Sequence, residues 1–277
     1  MGSSLLERGI KSIQTDGFDR TFLLTIRYIS SRIRYQDRIS RLPPKLASSF
    51  STLTTGCVRR TVRTLHRWYP TKYTDADPYR VLHVDPDDIT HISGLHDRKR
   101  RGWVVDGDWD QNCDLFLEKP IPQSIHAHYE QGVPWEETPL ANVFSDLEKF
   151  KQKCDKIERL HDNIAEQGFR SQNERLSDSK TDAWQTVNTT IGPSTDEITV
   201  DISRNGELLW NMLGKHRLSV SKVLDVDSIP VLVFARHAKW QEIRTELKNA
   251  DRNKRETVAK KYDVDVSNPD LSDLFQN

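Results

Sequence analysis

The sequence predicts a mixed α/β fold: a mixed sheet with flanking helices, preceded by a basic helical arm. Three observations predict it. Tyr79 to Val84 and Glu197 to Ile202 alternate with the period of strands, and Ile229 to Phe234 is an apolar run of strand length. Between the first strand and the second, Val143, Leu147, Phe150, Cys154, Ile157, His161 and Ile164 recur at helical spacing. Turn chemistry separates these segments, with Asp85-Pro86 after the first strand and Arg204-Asn205-Gly206 as a hairpin signal before Glu207 to Trp210.

The elements follow in order. Phe22, Ile26, Ile29 and Ile33 step by 4, 3 and 4, which is one face of a helix. Arg20, Arg27, Arg34 and Arg41 recur every seven residues beside that stripe. Pro43 and Pro44 are expected to stop this helix. A second basic segment, Val58 to Tyr73, carries Leu65, Trp68 and Tyr69 among its arginines. Gly102 to Asp110 follows the basic loop Arg98 to Arg101. The long helix ends at Gly168, a C-cap glycine. Gly214 opens a short helix over the residues up to Leu224, and 241–277 is a charged, weakly helical extension with a loose end. The expected organisation is an arm over 1–74, an α/β domain over 75–240 and the extension over 241–277.

Of 277 residues, 41 are Lys or Arg and 41 are Asp or Glu, so the net charge is zero and a uniformly basic nucleic-acid coat is excluded. The balance is uneven. Residues 1–72 carry 14 basic and 4 acidic side chains, and no acid lies between Asp37 and Asp75. Such an arm fits an anionic membrane surface, with nucleic acid a weaker fit, or it docks on the acidic remainder of the chain. No apolar run approaches the ~18 residues a membrane span needs, and no secretory signal is expected. Cys57, Cys113 and Cys154 are far apart and form no C-x-x-C pair. The expected location is the cytoplasm, peripheral at the membrane if the arm binds lipid.

Two constellations carry chemistry. Gly214-Lys215-His216-Arg217 puts a glycine and three cationic types at a helix start, where unpaired N–H groups favour a phosphate. Asp106-Gly107-Asp108-Trp109-Asp110, if extended, aligns three carboxylates on one face as a site for Mg²⁺. The alternative is an Asp-Gly turn capped by Asp108. His237, just past the last strand, is a further candidate phosphate contact. His126 and His128 have zinc-ligand spacing but no evident third ligand.

A helix ending in Ile164 to Arg170, a hairpin, the Gly214 to Arg217 box with Leu218 and Ser219 behind it, and a strand opening Ile229-Pro230-Val231 succeed one another. This order resembles the ParB/sulfiredoxin superfamily over roughly residues 77–240, most closely over 155–237. The resemblance implies that the box holds nucleotide phosphates. Lys215 stands where sulfiredoxins have their redox cysteine and where chromosome-partitioning ParB proteins have a glutamate. Residues 241–277 are too few for the ParB DNA-binding and dimerisation segments. His216 and Arg217 fit the free-serine kinase branch better, although Leu213 stands where its aspartate would be. The expected function is nucleotide-dependent phosphotransfer to a small hydroxyl acceptor, or nucleotide hydrolysis. ATP, ADP or CTP with Mg²⁺ would be the cofactor, Gly214 to Arg217 and His237 would hold phosphates, and Asp106 and Asp108 would act as base or, with Asp110, as metal ligands. The rival is a non-catalytic nucleotide- or anion-sensing module tethered by the arm.

Overall fold

The computed structural model describes residues 44–95, 101–171, 174 and 197–275. They fall into two compact units, one of residues 1–79 with 172–196 and one of 80–171 with 197–277. In the first unit, helix α1 spans Pro44–Trp68. Pro44 opens this helix, because its fixed φ and missing N–H suit a first turn. Thr55, Val58 and Val62 are buried along one side of α1. Past its end the chain is tied back, with His66 Nδ1 hydrogen-bonded to the Tyr73 carbonyl at 2.8 Å and Arg59 paired with Asp77 at 2.8 Å. The helix expected around Phe22 to Ile33, with its arginines, lies outside the described residues.

The second unit is built on a six-stranded sheet: β1 Val81–Val84, β2 His91–Ile92, β3 Trp103–Val105, β4 Ile198–Ile202, β5 Leu208–Trp210 and β6 Ile229–His237. The order is β1-β6-β4-β5-β2, with β3 also on β6. Strand β6 is the spine. Antiparallel β1 borders its first half, with Val81 opposite Leu232, and parallel β3 borders its end, with Val105 opposite His237. Parallel β4 borders the other side, with Ile198 opposite Val231. All of β4 and all of β6 are buried. A central strand covered on both faces has no wet side, which explains the unbroken apolar run at 229–234. The register of β4 against β6 shifts between Val200 and Ile202. There the buried Asp201 side chain accepts the Ala235 N–H at 2.9 Å, standing in for a ladder carbonyl. Its other oxygen accepts Ser93 Oγ at 2.5 Å and Asn211 Nδ2 at 2.7 Å.

The helices of this unit are α2 Pro120–Gln131, α3 Leu147–Gln167, α4 Lys215–Val223, α5 Ala238–Asn249, α6 Arg255–Lys261 and α7 Ser272–Phe275. Helix α3 starts four residues later than the apolar period, because Asp146 caps it by accepting the Glu148 and Lys149 N–H groups. It ends as expected at Gly168, whose N–H reaches the Ile164 carbonyl at 2.9 Å. Ile125, Phe150, Ile157, Ile164 and Val220 pack α2, α3 and α4 into one core, and a second core joins the sheet to α5, α6 and α7.

The C-terminal residues are not a loose extension; 241–277 belong to the sheet's own unit. Leu271 and Leu274 are buried in its core. Between the strand and these leucines lies an ionic clasp. Fully buried Asp270 accepts Arg236 Nε at 2.9 Å and Nη2 at 2.6 Å, and Trp240 Nε1 at 2.9 Å. Arg244 lies 3.4 Å from the same carboxylate, and Arg80 donates to the Pro269 and Asp270 carbonyls at 2.9 Å each. Burial alone would raise the acid's pKa, but Arg236 and Arg244 outweigh it and hold Asp270 down to about 2. The hairpin glycine is also fixed here. Gly206 has φ 89°, and a Cβ on it would come within 2.5 Å of the Trp240 ring.

Candidate anion-binding site

Helix α4 begins where β4 begins. Gly214 is its N-cap, in the left-handed conformation with φ 80°. A Cβ there would lie 2.7 Å from Ile198 Cγ1 and 2.9 Å from Ile198 Cα. The glycine therefore lets the helix start against β4, and the close approach that demands it is to Ile198. No side chain caps the helix. Its first turn keeps N–H groups and a partial positive charge with no side-chain acceptor.

Four basic residues converge at this end. Arg217 is committed to structure: its Nη1 donates to buried Glu197 at 3.1 Å and its guanidinium lies 5.9 Å from the Phe169 ring centre. Lys215 and His216 are different, and α3 adds a residue the sequence did not single out, Lys153. Burial first, then the neighbouring charges of Lys215 and Lys156, brings Lys153 down to about 8. Burial likewise lowers Lys215. His216 is pushed down to about 3 by burial, then by Lys153 and Lys215, so it is a neutral imidazole at ordinary pH. Its Nε2 is buried with no hydrogen-bond partner. Among the described residues, no carboxylate forms an ion pair with Lys153 or Lys215. Partly buried cations and an orphaned ring nitrogen around an uncapped helix start are what an anion would satisfy.

The acidic constellation has the opposite character. Strand β3 ends at Val105, and Gly107 turns the chain with φ 102°, so Asp106, Asp108 and Asp110 do not line one strand face. Asp106 accepts the Gly107 N–H at 2.8 Å. Arg204, from the β4–β5 hairpin, takes the other two: it donates to Asp110 at 2.7 Å and to Asp108 at 2.8 Å, and its own N–H reaches Asp110 at 2.7 Å. Burial raises the Asp110 pKa, but the hydrogen bonds from Arg204 outweigh it and leave the carboxyl below its usual range. Among the described residues, no three His, Cys, Asp or Glu side chains are grouped to hold a metal ion. The three residues expected to ligate Mg²⁺, Asp106, Asp108 and Asp110, thus sit in a turn in which Arg204 clamps the last two.

His237 belongs to that turn and not to the N-terminus of α4. Only 1% of its side chain is exposed. Its Nδ1 accepts the Lys239 N–H at 3.1 Å and caps α5, so Nε2 carries the proton and donates to the Gly107 carbonyl at 2.8 Å. Gly214 abuts Ile198, which pairs with Val231, while His237 lies six residues further along β6. At about 3.3 Å per residue the two places are roughly 20 Å apart. His128 serves packing, stacked on Trp135 at 4.0 Å with Nδ1 at 2.8 Å from the Val133 carbonyl. Of the loop Arg98 to Arg101, only Arg101 is described; it is buried over the Phe234 ring at 4.3 Å. Compared with known proteins, the chain matches no family model, no curated protein and no solved structure.

Proposed function

We propose that the protein is a binding module for a phosphate-bearing ligand of the nucleotide class, held at the N-terminus of α4. The observation that carries this reading is the uncompensated cationic cluster of Lys153 and Lys215 around the orphaned His216 Nε2. The lysines supply charge, the first-turn N–H groups supply directed donors, and His216 Nε2 adds a neutral polar contact. The likeness of the Gly214 to Arg217 box to the ParB/sulfiredoxin superfamily points the same way. Phosphotransfer is the weaker reading. It needs a base beside the transferred group, whereas Asp106 and Asp108 lie at the far end of β6 with Asp108 on Arg204. Glu197, beside the box, is paired with Arg217.

Calorimetric titration of the full-length protein with ATP, CTP and inorganic pyrophosphate, with and without Mg²⁺, tests this. Binding is expected without metal, and Lys153→Ala and Lys215→Ala should each weaken it by about 1.5–3 kcal/mol, the range for a charged hydrogen bond. Absence of binding by all three ligands, or unchanged affinity in both variants, overturns the site. Multiple-turnover product formation would return the protein to the phosphotransferases and hydrolases.

A further inference from the structure

The exposed side of α1 has a composition that neither the fold nor the anion site uses. At about 100° per residue, Arg60, Arg63 and Arg67 fall within roughly 60° of one another. All three are exposed, and among the described residues none of them has an ion-pair partner. The absence of any acid between Asp37 and Asp75 explains this locally, and Asp77 is taken by Arg59. On the same side, Leu53 is 72% exposed and Trp68 is 75% exposed. They bracket the arginines from positions about 22 Å apart at 1.5 Å rise per residue. Tyr69 follows at 44% exposure, with Lys72 Nζ 5.2 Å from its ring centre.

The apolar side of this helix is already buried through Val58 and Val62, so Leu53 and Trp68 are not remnants of a core face. We propose that this face of α1 docks on an anionic lipid surface. Three exposed arginines without an ion-pair partner among the described residues match the charge of acidic headgroups. Trp68 and Tyr69 are the residue types that settle at the boundary between headgroup and acyl chain, and Leu53 enters it at the other end. Nucleic acid would satisfy the arginines but would leave Leu53 in water. No helix among the described residues is long and apolar enough to cross a membrane, so α1 lies along the surface.

The test is co-sedimentation of the full-length protein at low salt with vesicles of phosphatidylcholine, with or without phosphatidylserine. Binding is expected only with phosphatidylserine. The triple variant Arg60→Ala, Arg63→Ala, Arg67→Ala should lower partitioning on the order of a hundredfold, from about fivefold per arginine near the surface. Trp68→Ala with Leu53→Ala should lower it several-fold at a salt concentration where the arginines are screened. These substitutions are on exposed positions, so thermal melting should not move. Partitioning within about twofold of the parent in the triple variant overturns the proposal and assigns the contact to residues 1–43. Binding to duplex DNA without binding to acidic vesicles overturns it as well.

Discussion

The two ends of the central strands treat charge in opposite ways. Where β6 ends, charges meet partners: Arg236 and Arg244 on Asp270, and Arg204 on Asp108 and Asp110. Where β4 begins, the one acid at hand, Glu197, is taken by Arg217, and Lys153, Lys215 and His216 form no ion pair with a carboxylate among the described residues. The pKa directions record the contrast. Asp270 is held down to about 2, meaning the fold favours its charged form. Lys153 is brought down to about 8 and His216 to about 3, meaning the fold disfavours theirs. A cluster of ionisable groups is thus structural when the protein completes it and a candidate binding site when completion is left to something else.

The sharpest way to break this contrast is Asp270→Asn. It leaves Arg236 and Arg244 buried without their counter-charge, and the expected loss is about 3–5 kcal/mol in urea unfolding. A loss below about 1 kcal/mol would mean that the clasp is incidental. The sign with pH follows from the lowered pKa. The stabilisation is full above the unfolded carboxyl's range near pH 4 and is lost as pH falls through about 2. A parent and an Asp270→Asn variant that lose stability in parallel over this window would contradict it.

A smaller effect is expected from Arg204→Ala. The half-clamped turn at Asp108 and Asp110 should loosen and the unfolding midpoint should drop, by less than for Asp270→Asn. Pyrophosphate affinity should stay as it was, because the turn and the α4 N-terminus lie at opposite ends of the sheet. A coupled loss of affinity would show that the two ends form one site after all. The mildest effect concerns pH. Lys153 loses its proton as pH rises through about 8, so pyrophosphate affinity should decline across that range. Lys153→Arg, which stays charged, should flatten the decline. An equally steep profile in that variant would remove Lys153 from the contact.

The apolar strands, the Gly168 cap and the Arg204 to Gly206 hairpin were legible because their signals are local. The C-terminal clasp was not, since Arg236, Arg244 and Asp270 are distant in sequence and no period links them. Helix α2 went without a sequence assignment, although Pro120 at its first position is a favourable helix start. The Gly214 to Arg217 box was legible as a helix start. Lys153 was not, because one lysine of an amphipathic helix stands out only when its neighbours across the core are known. The acidic triplet misled through an assumption about backbone: once Gly107 adopts a positive φ, period-2 geometry no longer applies. His237 misled because nearness in sequence to a strand end says nothing about which end of the sheet that is.

The position of β6 as the spine has a consequence for how the chain folds. Strands β1, β3 and β4 hydrogen-bond to it, and it is the last strand made. Only β4 and β5 find each other through a short hairpin; β1 must wait for residues 229–232 and β3 for residues 235–237. Such long-range pairing closes large loops before it is rewarded, so folding should be slow beside helical proteins of equal size. During synthesis the early strands carry unpaired edges until His237 has emerged, a period in which they are open to association with other chains. A ribosome-bound chain halted before residue 229 should therefore be protease-sensitive throughout its strand segments, and one halted after the Asp270 clasp should be the first to show a protected sheet.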